Sequence, residues 1–174
     1  APQYLEDVTA GADEDAEDWL GAYCGHAFQH LETVTTPLRG IRRDWPQATY
    51  ARGCGHESAY GTDWRAALPE MAEAAEAAAE ATHILLFRGE RHDWSGESAA
   101  LADPRLPEVQ RRLVQGVRRA NPQAKLIVFV TAGRAIHIPQ EVEDNADALF
   151  WTAHTGTFAG DAIADILTGR YAPT

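Results

Sequence analysis

Cysteine and basic side chains are scarce in this chain, and long apolar runs and nucleotide-loop patterns are missing altogether. Only two cysteines occur, Cys24 and Cys54, and neither belongs to a Cys-x-x-Cys. A disulfide-dense framework and a dithiol redox motif are thereby excluded. The pair reads as two ordinary buried thiols, free cysteine being among the most buried residue types. Lys and Arg number 15 against 26 Asp and Glu, for a net charge of −11. Phosphate backbones and anionic lipid surfaces attract proteins through a basic excess that is absent here, so no nucleic acid and no membrane partner is expected. No stretch of eighteen apolar residues is present, so no transmembrane helix is expected. Residues 1–20 are acidic rather than basic-then-apolar and do not read as a signal peptide. The compartment stays open between cytoplasm, periplasm and exterior. Ser58, Ser95 and Ser98 lack a Gly-x-Ser-x-Gly elbow, and no Gly-x-Gly-x-x-Gly or phosphate loop exists, which disfavours a serine nucleophile and a nucleotide site. His26 and His30 have the spacing of a helical metal pair, but Gly21 and Gly25 weaken a helix there and no third ligand is near. No metal and no cofactor are expected.

What is present is an ordinary globular composition, 45% hydrophobic and 24% charged over 174 residues, enough for one domain with a full core. Residues 1–18 read as an acidic arm or loop, and 19–174 as a single domain. Residues 19–36 read as an irregular packed loop holding Trp19, Leu20, Tyr23, Phe28 and Leu31. Helices are predicted over 37–45, 64–81, 107–120, 139–145 and 156–168. Strands are predicted over 48–54, 83–88, 125–131 and 148–151. Ile84 to Phe87 and Leu126 to Val130 are almost continuously apolar, the pattern of strands covered on both faces. Strands alternating with helices imply an α/β fold: a mostly parallel sheet with helices on both faces, a three-layer sandwich that is flavodoxin-like in outline.

Chemistry concentrates where the 83–88 strand breaks. Gly89 is followed by Glu90, Arg91, His92, Asp93, Trp94 and Glu97. Ligands of open α/β sheets bind beyond the carboxyl ends of strands, so this loop is the first candidate site. Glu90 and Glu97 are candidate acid/base carboxyls, since a carboxyl beside an apolar wall such as Trp94 can hold its proton for donation. Glycoside hydrolysis requires two carboxyls across the scissile bond, about 5–5.5 Å apart for retention of configuration. Arg91, His92, Asp93 and Arg134 suit sugar hydroxyls, Trp94 can stack on a sugar ring, and His154 follows another strand toward the same sheet edge. A solvated cluster of surface ion pairs has the same composition.

Four segments together resemble glycoside hydrolase family 3, the β-glucosidase and β-xylosidase family. Residues 85–110 run from a strand through Gly89-Glu90, a short loop, Glu97 and Leu106-Pro107 into a helix, as in that family. Tyr50-Ala51-Arg52-Gly53-Cys54 resembles its Tyr-Ala-Lys-Gly-Cys strand. Ala132-Gly133-Arg134-Ala135-Ile136 resembles its Asn-Gly-Arg-Pro-Leu turn. The most specific match is 156–167, Gly-Thr-Phe-Ala-Gly-Asp-Ala-Ile-Ala-Asp-Ile-Leu, against Gly-Thr-Glu-Ala-Gly-Asn-Ala-Ile-Ala-Asp-Val-Leu. The resemblance spans about residues 37–172 in the family's order.

The resemblance implies the α/β sandwich second domain of a retaining β-glycosidase acting on a β-linked glucoside or oligosaccharide. It implies that Glu97 is the acid/base, with Glu90 as runner-up, and that a preceding barrel domain carries the nucleophile. The sequence departs from the family at Phe158, where Glu is usual, and at Thr155, where Pro is frequent. It shows no barrel, and it stops before the family's Gly-Lys-Leu-Pro continuation. The alternatives are a non-catalytic carbohydrate- or protein-binding module derived from that domain and an unrelated small α/β hydrolase.

Overall fold

The computed structural model describes residues 19–23, 30–55 and 63–173. The acidic arm at 1–18, His26 and Cys24 lie outside the described residues. In chain order the elements are α1 (Pro37–Asp44), α2 (Leu68–Ala79), β1 (His83–Gly89), α3 (Glu108–Ala120), β2 (Lys125–Thr131), α4 (Gln140–Glu143), β3 (Ala148–Thr152) and α5 (Ala159–Leu167), with short 3₁₀ turns at Leu31–Thr33, Trp64–Ala67 and His92–Trp94. They belong to two compact units. One comprises Thr49–Gly89 and Ala100–Thr152. The other comprises the described residues up to Ala48, Glu90–Ala99 and the described residues from Ala153.

The first unit holds a parallel sheet in the order β1-β2-β3. Side chains alternate across it as the strand period requires. One face carries Ile84, Leu86, Leu126, Val128 and Val130, which share a core with α2 and α3. On the other, Phe87, Phe129 and Phe150 are in register and stack at centroid separations of 4.9 and 5.0 Å. Helix α3 forms because Val109, Leu113, Val114 and Val117 recur on one stripe, and each is at most 1% exposed. Burying each contributes about 2 kcal/mol. That outweighs the exposed Arg112–Glu108 pair on the same helix, of a kind worth about 0–1 kcal/mol.

Two polar side chains tie this unit together. The Asn121 amide donates to the carbonyls of Ala78 and Ala81 at 3.0 and 2.8 Å, satisfying carbonyls near the end of α2. Its Oδ1 accepts from the N–H groups of Gln123 and Ala124, shaping the turn into β2. Asp147 accepts from the Leu126 N–H at 2.9 Å and pairs with Arg118 at 2.5 Å. The Leu126 amide, then Arg118, hold its carboxyl well below the usual carboxylate range.

At the carboxyl end of β1, Gly89 has φ +139°, and a Cβ there would lie 1.8 Å from the Thr131 carbonyl oxygen. The buried Gln110 side chain makes two 2.9 Å bonds with it, accepting from the Gly89 N–H and donating to the Gly89 carbonyl.

In the second unit, α1 begins with the Thr36 hydroxyl accepting from the Arg39 N–H and Pro37 in the first turn. It crosses α5 at glycines. A Cβ on Gly40 would meet the Gly160 carbonyl at 2.1 Å, and one on Gly160 would meet the Thr36 carbonyl at 2.0 Å. The Gly160 N–H donates to the Thr35 carbonyl at 2.6 Å. Arg43 bridges to Asp161 and Asp165, and Arg170 to Asp44 and Asp165.

The parallel sheet and the α/β class agree with the sequence expectation; several details do not. Residues 48–54 form no strand, because the Cys54 N–H turns back to the Arg52 carbonyl at 2.9 Å instead of joining a ladder. The apolar spacing of the 64–81 helix puts Leu68 on its buried stripe with Ala67 and Met71, yet Leu68 is 48% exposed and the inward stripe runs Ala67, Met71, Ala74, Ala78. Trp64–Ala67 is a 3₁₀ turn capped by Asp63, which accepts from the Arg65 N–H. The last helix starts at Ala159 rather than at 156, and of Ile163, Ile166 and Leu167, whose spacing puts all three inside, only Ile163 is buried, the other two being half-buried. Tyr23, expected to pack, is exposed.

Two outcomes follow from these contacts. Gly89→Ala should cost about 3 kcal/mol or more, and Gln110→Leu, which leaves two main-chain groups of Gly89 without these partners, a comparable amount; denaturant midpoints measure both. Stability should also fall in acid. Asp147 and Asp103 have folded-state pKa values depressed from 3.8, Asp103 to about 2 by Arg105. Their contribution is complete above about pH 5 and is lost as pH falls through the folded-state values, later for Asp147 than for Asp103. Asp147→Asn should flatten that loss, and unchanged slopes would rule the carboxylate out as its source.

Candidate active-site loop

The loop is built from the strand that ends at Gly89. Parallel strands leave their carboxyl ends on one edge, and β1 delivers Glu90 directly after Gly89. Arg91 is extended, and its carbonyl accepts from the Trp94 N–H at 3.2 Å to close the turn His92–Trp94. Arg91 then meets Asp93 side on, Nε to Oδ1 at 3.0 Å and Nη2 to Oδ2 at 3.2 Å. These two candidate sugar ligands therefore neutralise each other in a largely exposed bidentate pair. His92 and Trp94 are half-buried, and Ser95 is buried.

The two glutamates occupy opposite environments. Glu90 is 2% exposed. Glu97 is exposed, and its backbone is unusual on both sides: Gly96 has φ +120° and Ser98 has φ +62°. The left-handed region costs a non-glycine residue about 1 kcal/mol or more, so a serine held there signals a segment constrained by its neighbours. One neighbour is Tyr23, whose hydroxyl accepts the Glu97 N–H at 2.6 Å.

His154 lies in the same unit as the loop. A Cβ on Gly21 would stand 3.0 Å from the His154 ring, and the Gly156 N–H donates to the Trp19 carbonyl at 2.7 Å, so the 154–156 segment is strapped to residues 19–21. Arg134 is half-buried in the sheet-bearing unit, just after β2. The described residues contain no group of three His, Cys, Asp or Glu arranged for a metal. Cys54 is a buried free thiol that accepts from Arg88 at 3.0 Å.

Glu90, Arg91, His92, Asp93, Trp94 and Glu97 thus share one loop, as expected, with His154 in the same unit. Sequence patterns missed Tyr23, which precedes Glu97 by more than seventy positions and belongs to no motif. They also missed Gln110, a polar residue on the buried stripe of α3. That second anomaly was a usable signal, because a buried amide needs partners.

Residues 8–174 match the Glycosyl hydrolase family 3 C-terminal domain. The chain is 29% identical to a periplasmic β-glucosidase of Salmonella typhimurium, over 92% of this chain and 22% of that one. It is 30% identical to a β-xylosidase of Formosa agariphila, over 88% and 20%. Among solved structures, a β-glucosidase of Listeria innocua in complex with gluconolactone superposes with a TM-score of 0.69 over 88% of this chain and 20% of that one, at 23% identity. A β-glucosidase of Kluyveromyces marxianus in complex with glucose gives 0.55 over 62% and 12%, at 30% identity. The chain thus spans about a fifth of the length of the relatives it matches. With that match over nearly its whole length, and the parallel α/β architecture beneath it, the chain belongs to glycoside hydrolase family 3, within its C-terminal domain.

Proposed function

We propose that this chain is the α/β sandwich domain of a retaining β-glycosidase. In this proposal Glu97 supplies the acid/base carboxylate, and a separate barrel domain supplies the nucleophile and most of the sugar pocket. The observation that carries the assignment is the contrast between the two glutamates. Glu97 projects from an exposed, conformationally constrained turn, while Glu90 is enclosed. A proton donor serving a site completed by another domain has to reach outward.

The chemistry divides naturally in two. The donor carboxylic acid protonates the departing glycosidic oxygen while the nucleophile attacks the anomeric carbon and forms a glycosyl-enzyme. The resulting carboxylate then takes a proton from the water that releases the sugar. Each step requires the two carboxyls on opposite sides of one bond, and placing them on separate domains makes domain docking part of catalysis. The substrate class is a β-linked glucoside or oligosaccharide, in keeping with the β-glucosidases and β-xylosidases the chain resembles. Arg91, His92, Asp93, Trp94 and His154 are the proposed sugar-facing set.

The 174 residues alone should turn over aryl β-glucosides at no more than background. Joined to the barrel domain, the chain should be active. Glu97→Gln should then lower kcat/KM by about 10²–10⁴ for glucosides with poor leaving groups and far less for 2,4-dinitrophenyl glucoside, whose departure needs no proton. Steady-state kinetics on both substrates checks this, and an equal rate on the poor leaving group in wild type and variant overturns the assignment.

A further inference from the structure

Tyr23 is 73% exposed, which by itself calls for no explanation in a surface aromatic. Its contacts do. Its hydroxyl lies 2.6 Å from the Glu97 nitrogen, and the N–H donates to it. A Cβ built on Gly96 would stand 3.3 Å from that same oxygen, 3.5 Å from Cε2 of the ring and 3.3 Å from Cβ of Ala22. Tyr23 therefore lies across Gly96 and holds the next peptide. Glu97 stands between two residues with positive φ, Gly96 and Ser98, and Ser98 is the only non-glycine residue so placed among the described residues. A turn with two such residues in three is not one the chain adopts without outside support.

We propose that Tyr23 is a positioning residue for Glu97. The tyrosine touches the glutamate through its main chain and not through the carboxylate, so it takes no part in proton transfer. Its hydroxyl sets the orientation of the 96–98 turn and hence the direction in which the carboxylate projects. This inference rests on Glu97 being the acid/base, and it adds a second residue to that role. In the glycosylation step, a general acid displaced by even a fraction of an ångström loses rate only on substrates whose leaving group needs its proton.

The test compares wild type, Tyr23→Phe, Glu97→Gln and the double variant, each in the chain joined to its barrel domain, on 4-methoxyphenyl and 2,4-dinitrophenyl β-glucosides. Tyr23→Phe keeps the ring over Gly96 and removes only the acceptor. It should lower kcat/KM, which reports the glycosylation step, about fivefold on the methoxyphenyl substrate, the effect of one lost hydrogen bond, and leave kcat/KM on the dinitrophenyl substrate unchanged. In the double variant the tyrosine change should add nothing to Glu97→Gln, because its effect passes through the carboxylate. Equal losses on both substrates, or additive losses in the double variant, would reduce Tyr23 to a structural residue and leave the Glu97 assignment standing. A Glu97→Gln variant without leaving-group selectivity overturns the glutamate assignment itself, and this inference with it.

Discussion

The peptide at Gly89 is the point on which both the sheet and the candidate loop depend. It ends β1, it sits so close to Thr131 of the neighbouring strand that no side chain fits, and the Gln110 amide satisfies both its N–H and its carbonyl. A strand end normally leaves main-chain groups to water. Here a buried side chain from α3 replaces the water, with the geometry of one more ladder partner. The β1 exit is therefore held by the helix that packs on the sheet, and the chain leaves it in one direction. Glu90, the first residue of the loop, follows at once.

From there the loop grows steadily less regular toward Glu97. The first turn is tied internally by Arg91, whose carbonyl and guanidinium serve Trp94 and Asp93. The last turn relies on Tyr23, a residue from far upstream. This gradient from internal to external support suits an exposed acid/base carboxylate, which needs a defined position without being buried. Glycine plays a different part in the crossing of α1 and α5. Gly40 and Gly160 bring two backbones into contact, and the arginine bridges from Arg43 and Arg170 fasten the margin of that contact.

Dividing a glycosidase site between domains has a physical cost and a use. In the proposed arrangement the cost is that neither domain would hold a complete site, so rate would depend on how precisely they dock. The use is that, on the same proposal, a loop carrying the acid/base could vary in length and composition without disturbing the fold of the domain that holds the nucleophile. The pairing of Arg91 with Asp93 keeps that density electrically quiet.

Local pattern sufficed for the parts of this protein whose causes are local. The 3.6-residue stripe of Val109, Leu113, Val114 and Val117, the apolar runs of β1 and β2, and the glycine stop after α5 are short-range features of solvation and backbone sterics, so they were visible before any coordinates. The sequence likewise resembled the right family, most specifically through its 156–167 segment, and singled out 89–97 as a candidate site. Tertiary structure alone decided the rest. Residues 48–54, strand-like in composition, form no strand because a bond from the Cys54 N–H to the Arg52 carbonyl turns the chain. The burial of Glu90 against the exposure of Glu97, the reciprocal pair of hydrogen bonds between Gln110 and Gly89, and the reach of Tyr23 to Glu97 all join residues distant in the chain or depend on what surrounds them. Such contacts carry no sequence period, because three-dimensional proximity, not spacing along the chain, brings their atoms within bonding distance.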